Sequence, residues 1–331
     1  MTYDTELVKN HWSTVDCSAS EKNFYAFPPI RTRSCQLIFN ENDATNPDWC
    51  EYWTAEKYLK ASMPFNKCLS ICCGFGEVER NLAKLKVAKK IVGTDIALGA
   101  IEEARKRAEA NNFDNIKYYV ADLNNEKLKS HEYDLIWANG ALHHIEDLDG
   151  VVPKLYASLK NGGYLVSNEY VGPKYQQIGK RQQELVNAVK HMLPPELRKK
   201  VTYERPYGNS FKASAMRYAK RKLKWRWTNQ ANEILWEMPP VDYFVASDPS
   251  ECVNSNNIIP TLKKYFDEVD VKYFNGSILF YALDSEFYKN FDAQNTKHTE
   301  TLQMLFDIED TLVAAGEISQ DNAHIICRKR M

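Results

Sequence analysis

The amino-acid sequence predicts an α/β fold in which a mostly parallel sheet has helices on both faces. From Cys68 to about Tyr170, short apolar runs alternate with segments whose apolar residues have helical spacing. A glycine turn at positions 74–76 follows the first run, as expected where a strand passes into a helix at a ligand site. Further along, two apolar runs flank Asn275 and Gly276, which predicts an antiparallel hairpin that completes the sheet.

Length and composition set the broad class. The chain has 331 residues, enough for one large domain or two small ones, with 43 Lys and Arg against 44 Asp and Glu. This balance argues neither for nor against nucleic acid. No run of 18 apolar residues occurs, and the N-terminal segment lacks the pattern of a signal peptide. We therefore expect a cytoplasmic protein without a transmembrane segment.

The cysteines have no spacing that suggests a metal site or a disulfide framework. Neither a Cys-x-x-Cys pair nor a His at metal-ligand spacing accompanies them. We therefore expect free thiols, several of them in the core, and no metal site. The eight cysteines occupy positions 17, 35, 50, 68, 72, 73, 252 and 327.

Residues 1–60 form a predicted N-terminal extension that is rich in aromatic side chains. Pro28 and Pro29 exclude a continuous helix there and predict an ordered loop. One interpretation is a lid over a bound cofactor, in which Tyr25 forms a hydrogen bond and Arg31 pairs with a carboxylate. The alternative, which the sequence leaves open, is an aromatic patch that covers an edge of the sheet.

The glycine turn and a spaced acid predict which cofactor binds. Asp95 ends the second apolar run, nineteen residues after Gly76, where a carboxylate can accept hydrogen bonds from both hydroxyls of a ribose. A dinucleotide site favours Gly-x-Gly-x-x-Gly, but here Glu79 takes the third glycine position and Glu77 follows the turn directly. Two carboxylates repel a diphosphate, whereas they are compatible with the sulfonium and ammonium groups of S-adenosylmethionine.

On these residues, the segment 67–80 resembles the first motif of class I S-adenosylmethionine-dependent methyltransferases. The resemblance extends over roughly 67–172 and 248–284 and implies a Rossmann-like seven-stranded sheet, parallel except for an antiparallel C-terminal hairpin. It also implies S-adenosylmethionine as cofactor and S-adenosylhomocysteine as product. Two positions depart from the family pattern: its first glycine is Cys72 here, and the frequent acid two residues earlier is Ser70.

The resemblance assigns the cofactor contacts to the ends of successive strands. The turn would hold the methionyl part, Asp95 the ribose and Asp122 the adenine, although Asp122 could instead cap the next short segment. Asn139, after the fourth strand, would lie on the far side of the cofactor. The full predicted set of cofactor-binding residues is Cys72, Cys73, Gly74, Gly76, Asp95, Ile96, Asp122, Leu123, Asn139, Tyr25 and Arg31.

Two histidines follow the fourth strand, in a loop that faces the methyl acceptor in similar methyltransferases. His143 or His144 is therefore predicted as a general base. Adjacent side chains cannot point the same way, so at most one of them faces the acceptor, and His144 is preferred. The alternative is that both serve packing and the start of a helix. Glu169, the third predicted catalytic residue, and Tyr170 either line the acceptor pocket or hold the loop together.

The alternation of strands and helices breaks after residue 173. Residues 174–248 are predicted as a helical, acceptor-binding cap, because seven of the fifteen residues in 212–226 are Lys or Arg with aromatics between them. This basic segment could bind nucleic acid, a membrane surface or an anionic acceptor such as a phosphorylated sugar or lipid, or it could be a solvated helix face. An anionic acceptor is preferred to nucleic acid.

The predicted methyltransferase core is therefore discontinuous. It covers 61–173 and 249–284, and its second part begins with a helix for which Asp248 or Ser250 is the N-cap. Residues 285–331 are predicted as an amphipathic helix and a short apolar tail. The tail packs either on the N-terminal aromatics or on a second subunit, so a homo-oligomer is left open.

The sequence thus predicts an S-adenosylmethionine-dependent methyltransferase that catalyses in-line transfer to a small-molecule acceptor. Similarity to bacterial enzymes suggests a hydroxyl of a sugar or another anionic metabolite, in polysaccharide or secondary-metabolite biosynthesis. Two other classes stay open. An NAD(P)-dependent oxidoreductase is disfavoured by Glu77 and Glu79, and a catalytically silent binding subunit would fit Cys72 and Ser70. Nucleic acid is not expected as a partner.

Overall fold

A computed structural model describes residues 4–14, 24–198, 235–283 and 287–330. The chain divides into two compact units. The first contains the sheet and consists of Met1–Gln176, Phe244–Asn275 and Gln320–Met331, and the second consists of Gln177–Tyr243 and Gly276–Ser319. The basic segment 212–226 lies outside the described residues, so the predicted cap stays a prediction.

The first unit is built on a seven-stranded sheet in the order β3-β2-β1-β4-β5-β7-β6. Every strand runs parallel to the others except β7, which is antiparallel to β5 and to β6 on either side. The predicted α/β class, with antiparallel pairing at the C-terminal end of the sheet, is confirmed. The strands are β1 (Phe65–Ile71), β2 (Ala88–Asp95), β3 (Ile116–Val120), β4 (Tyr133–Asn139), β5 (Leu159–Tyr170), β6 (Glu268–Phe274) and β7 (Asn322–Arg328).

Helices cover both faces of this sheet, each with its own apolar core. On one face Leu155 and Leu262 pack with the buried side chains of β4 and β5. On the other, Leu82 and Ile101 pack against β1 and β2. The α-helices among the described residues of both units are α1 (Thr5–Trp12), α2 (Pro28–Phe39), α3 (Trp49–Thr54), α4 (Glu77–Lys84), α5 (Leu98–Ala110), α6 (Leu148–Ser158), α7 (Lys180–Met192), α8 (Val241–Ser247), α9 (Ile258–Tyr265), α10 (Leu279–Ala282) and α11 (Thr296–Ala314).

The predicted hairpin is wrong in its second strand. Asn275 and Gly276 do have positive φ, but the run that follows them forms α10 instead of a strand. The backbone amides of Ile278 and Leu279 donate to the buried Glu309 carboxylate, so they are not available to a ladder. The strand that pairs with β6 is β7, which lies in the predicted C-terminal tail. Its side chains are buried on both faces, as in a central strand.

Two helix boundaries also differ from the prediction. Pro28 and Pro29 do not lie in the predicted loop. They form the first turn of α2, where the N–H that proline lacks would have no partner within the helix. The helix expected to start near Asp248 begins ten residues later, at Ile258. The intervening segment folds into turns that carry several side chains to the end of β4. Within the described part of the chain, no helix combines the length and apolarity needed to cross a bilayer.

Candidate active site

The glycine turn between β1 and α4 has left-handed backbone geometry at three positions. Cys72, Gly74 and Gly76 have φ values of 47°, 49° and 76°. A Cβ on Gly76 would lie 2.4 Å from the Tyr118 hydroxyl, whereas a Cβ on Gly74 would meet no heavy atom within 4 Å. Cys72 therefore adopts the conformation that favours glycine, and the turn keeps its shape despite this departure from the family pattern.

Asp95 ties this turn to the end of β2. Its Oδ2 accepts from the Gly74 amide at 2.9 Å and its Oδ1 from the Ala97 amide at 2.9 Å. Burial raises the pKa of Asp95, although these backbone donors oppose the change. Each oxygen keeps a second lone pair, so the carboxylate can still accept from a ligand hydroxyl.

The other predicted cofactor residues lie at neighbouring strand ends. Asp122 follows β3 and accepts from the Asn124 backbone amide at 3.0 Å, which is the capping role considered as its alternative. Leu123 is buried in the core, Ile96 is partly buried, and Asn139 is exposed at the end of β4. Since β1 to β4 are adjacent and parallel, these residues share one edge of the sheet with the turn.

The two residues predicted for the N-terminal lid lie elsewhere along this edge. The Tyr25 hydroxyl accepts a hydrogen bond from the Asn322 amide group, and its ring packs on Phe274. Both partners belong to β7 and β6, which β4 and β5 separate from the glycine turn. In the part of the chain that the structure describes, Arg31 pairs with no carboxylate, and its buried Nε has no hydrogen-bond partner.

His143 is held by the predicted catalytic residue Glu169. The Nδ1 of His143 lies 2.7 Å from Glu169 Oε2, and the other carboxylate oxygen accepts from the Ala141 and Leu142 amides. Burial disfavours the imidazolium, but the hydrogen bond and charge of Glu169 outweigh it, so the pKa of His143 is raised. Glu169 is fully buried beneath the loop, a place suited to orienting His143.

His144 is connected to a chain of polar groups from two distant segments. Its Nδ1 lies 2.9 Å from Ser250 Oγ, which donates to Asp248 Oδ1 at 2.5 Å. The indole N–H of Trp12 donates to the other oxygen of Asp248 at 2.9 Å. Because Ser250 uses its proton on Asp248, it can only accept from His144, which places the proton on Nδ1 and leaves Nε2 as a base.

Glu251 and Cys252 lie on the far side of His144. The Nε2 of His144 is 3.9 Å from Glu251 Oε2, and the Cys252 thiol lies 3.0 Å from Glu251 Oε1. The Gln176 amide also donates to that Oε1, at 3.2 Å. Burial, followed by the charge of His143, lowers the pKa of His144, so the neutral ring is favoured.

Sequence reasoning missed this second set of residues. The sequence Asp-Pro-Ser-Glu matches a capping pattern and therefore predicts a helix start there. The residues concerned are Asp248, Ser250, Glu251 and Cys252. Trp12 was grouped with the other aromatics of the extension. Asn168 of β5 was not considered either; its side-chain oxygen is buried and has no hydrogen-bond partner among the described residues. No local signal identifies these positions.

A sheet in this order with one antiparallel strand, and a glycine turn fastened to an acid after β2, defines a class I S-adenosylmethionine-dependent methyltransferase. Comparison with known proteins agrees. The sequence model of a methyltransferase domain family matches residues 66–235, more than half of the chain. The chain belongs to this methyltransferase domain family. The predicted class is confirmed, and so is S-adenosylmethionine as the cofactor of the family.

The named relatives match only part of their own length. The malonyl-[acyl-carrier protein] O-methyltransferase of Acetivibrio thermocellus is 33% identical over 102 residues, which are 31% of this chain and 35% of that protein. The 2-phytyl-1,4-naphtoquinone methyltransferase of a Nostoc species is 24% identical over 139 residues, 41% of this chain and 58% of that protein. The chain thus spans less than two thirds of each of these relatives.

A solved structure from Haemonchus contortus is similar over more of the chain. It is phosphoethanolamine N-methyltransferase 2 in complex with S-adenosyl-L-methionine, with 15% identity and a TM-score of 0.44. The alignment covers 96% of this chain and 61% of that one.

Proposed function

We propose that this protein transfers the methyl group of S-adenosylmethionine to a hydroxyl of a small-molecule acceptor, with His144 as the general base. The observation that carries the base assignment is the chain from Asp248 through Ser250 to His144, which leaves Nε2 unprotonated. A hydroxyl needs such a base because it must lose a proton as its oxygen attacks. A sugar hydroxyl remains the preferred acceptor within this class.

The cofactor end of the site, defined as residues 72–76 with Asp95 and Asp122, fits the ligand. Gly74 combines positive φ with open space where a Cβ would stand, so the backbone can approach a bound molecule closely. Asp95 has lone pairs for a ribose, and Asp122 lies one strand further along for the adenine. S-adenosylmethionine, when bound, supplies a methyl group activated by a positively charged sulfur.

The acceptor end, defined as His143, His144 and residues 248–252, supplies proton transfer. The Nε2 of His144 takes the proton of the acceptor hydroxyl, and the resulting imidazolium donates through Nδ1 to Ser250. The carboxylate of Asp248, 3.7 Å from the ring, stabilises that positive charge. Glu169 fixes the orientation of His143 and thereby of the loop that carries both rings.

Charge at the acceptor end favours a neutral group beside the base. Glu251 and Asp248 both lie within 4.0 Å of His144, and a phosphate or carboxylate at the same point would be repelled. A neutral hydroxyl, as on a sugar, avoids this cost. Any anionic part of the acceptor would have to lie away from these two carboxylates.

Calorimetric titration with S-adenosylmethionine, S-adenosylhomocysteine and NAD in parallel tests the cofactor. We expect the first two to bind and NAD not to bind. An acceptor screen with radiolabelled methyl donor, starting from sugars, then tests the reaction, with His144→Gln as the inactive control. Binding of NAD alone, or labelling that is equal in the wild type and in His144→Gln, contradicts the proposal.

A further inference from the structure

Beyond methyl transfer, we propose that His143, Glu251 and Cys252 bind a divalent metal ion of the zinc class. A ring nitrogen of His143, a carboxylate oxygen of Glu251 and the Sγ of Cys252 all lie within 4.8 Å of one another. In a tetrahedral zinc site, bonds of about 2.0–2.3 Å place the ligand atoms roughly 3.5 Å apart. Side-chain rotations would have to bring the ligand atoms to this tetrahedral separation.

The ring of His143 is held in the way that metal-binding histidines are held. Its Nδ1 is taken by Glu169 at 2.7 Å, so a metal would bind at Nε2 and displace any proton held there. Metal-binding histidines almost always give their other N–H to a carboxylate or carbonyl, which fixes the ring and increases its basicity. The carboxylate is itself held by two backbone amides and by the Ser167 hydroxyl. The outer support of the site is therefore already in place.

The two ligands from the turn after α8 are also pre-positioned. Cys252 has a φ of 52°, a left-handed conformation that is uncommon for a residue other than glycine or asparagine. This conformation places its thiol 3.0 Å from Glu251 Oε1. The amide of Gln176 lies 3.2 Å from the same oxygen and 3.7 Å from the sulfur. On metal binding the thiol proton, together with any proton on Nε2 of His143, is released to solvent, and a sulfur–metal bond replaces the S–H contact.

Charge favours a cation at this point. Glu169, Asp248 and Glu251 approach the two histidines, and in the described part of the chain none of the three carboxylates has a Lys or Arg within 4.0 Å. The side chains of Glu169 and Asp248 are 0% and 5% exposed. Even with both histidines protonated, the three carboxylates leave net negative charge at this point, and a divalent ion would balance it.

The donor types select the metal class and one of two overlapping ligand sets. His144, Asp248 and Glu251 also lie within 4.8 Å of one another. Both oxygens of Asp248 are already used, by Trp12 and Ser250, which makes that set the weaker one. One nitrogen, one oxygen and one sulfur suit zinc better than magnesium or calcium, which prefer oxygen. Three protein ligands leave a fourth position for water or for an acceptor oxygen.

Cobalt titration tests the site without any need for turnover. Protein stripped with a chelator is titrated with Co²⁺, and we expect one equivalent to bind with a thiolate-to-cobalt charge-transfer band that Zn²⁺ then displaces. Cys252→Ser should lose the band, and Glu251→Gln should weaken binding by roughly 100-fold. Cys50→Ser, which changes a cysteine of α3, is the matched control and should bind like the wild type. Calorimetry in buffers of different ionisation enthalpy should show proton release.

Three results would overturn the metal site. They are no binding of Co²⁺ at micromolar concentration, a charge-transfer band that survives in Cys252→Ser, or equal loss of the band in Cys50→Ser. Circular dichroism and thermal unfolding of each variant separate loss of a ligand from loss of the fold, and Glu251→Gln tests the site without touching a thiol. Calorimetry with S-adenosylmethionine on the same stripped protein shows independently whether the cofactor end is intact.

Discussion

At the cofactor end, the key contact joins Gly74 to Asp95, which are 21 residues apart in the chain. At the acceptor end, His144 reaches Ser250 across 106 residues and Trp12 reaches Asp248 across 236. The first end is built from the β1–α4 turn and the acids at the ends of β2 and β3, all within residues 72–122. The second is assembled from side chains of three distant segments. The comparison shows that one edge of a sheet can carry two kinds of site. The cofactor end can be predicted from residues near each other in sequence, whereas the acceptor end forms only when distant segments meet in the folded chain.

The largest effect should come from the acceptor end. His144→Gln is expected to lower kcat by about 100- to 10,000-fold, because no base remains at Nε2, while the Kd for S-adenosylmethionine stays the same. Ser250→Ala should lower kcat less, because His144 keeps Nε2 as a base. Only the orientation of the ring and the stabilisation of its positive charge are weakened. Steady-state rates and calorimetry check both. A parallel fall in cofactor affinity would show that the two ends are not separable.

Stability distinguishes two glycines of the cofactor end. Gly76→Ala should lower the free energy of unfolding by about 3 kcal/mol, because it adds a Cβ 2.4 Å from the Tyr118 hydroxyl at positive φ. Gly74→Ala has positive φ but open space and should cost about 1 kcal/mol. Urea denaturation measures both. Similar losses for the two variants would argue against the packing assigned to Tyr118.

Glu79, in the first turn of α4, should make stability depend on pH. The side chain is fully buried, and burial raises its pKa to about 7 although Ser70 and the backbone amide of Glu79 oppose the change. The unfolded chain ionises this group near its ordinary pKa, so its contribution is fully present at low pH and is lost as pH rises to about 7.

Glu79→Gln tests this assignment through unfolding curves between pH 4 and pH 8. We expect the loss of stability over that range to shrink by about 3 kcal/mol relative to the wild type. Glu51, whose pKa burial raises to about 8, should keep a residual pH dependence in the variant. An unchanged pH profile would mean that Glu79 has a charged or hydrogen-bonded partner in solution.

Asp95→Ala should weaken binding of S-adenosylmethionine by about 10- to 100-fold, through loss of charge-assisted hydrogen bonds. The matched control is Asp149→Ala, which removes an exposed carboxylate of α6. Titration calorimetry compares the two. If Asp95→Ala binds like the control, the ribose contact lies elsewhere.

The smallest effect is expected at Cys72. Because its φ of 47° favours glycine, Cys72→Gly should change the free energy of unfolding by less than about 1 kcal/mol. Cys72→Val should destabilise more, since a β-branched side chain is poorly accommodated at positive φ. Thermal unfolding of the two variants checks this order of stability. A Cys72→Val variant more stable than Cys72→Gly would contradict it.

The comparison of the two ends also explains what the sequence could predict. Gly74, Gly76 and Asp95 have a fixed spacing that follows from strand, turn and helix geometry, so their proximity could be inferred without a structure. His144 was identified through its position after β4. Its partners Ser250 and Asp248 were taken for helix caps, because a capping pattern and a loop that carries functional side chains have the same composition.

The fold shows the same division. Helical and strand periodicity identified β1 to β6 and α11, but it could not show which strand pairs with β6. The Asn-Gly rule favoured the nearest apolar run. In the structure, the amide of Ile278 in that run donates to Glu309, and β7 pairs with both β5 and β6. Both features depend on tertiary contacts, which a short stretch of sequence does not contain.

The place of β7 between β5 and β6 also affects how the protein is made on the ribosome. Strands β1 to β5 can pair as they leave the exit tunnel, but the outer edge of β5 and the whole of β6 wait for a segment that is translated more than 40 residues later. Until then the nascent chain carries an open edge on β5 and unpaired edges on β6, the kind of exposed strand surface that promotes aggregation. A premature stop before Asn322 would leave those edges open for good.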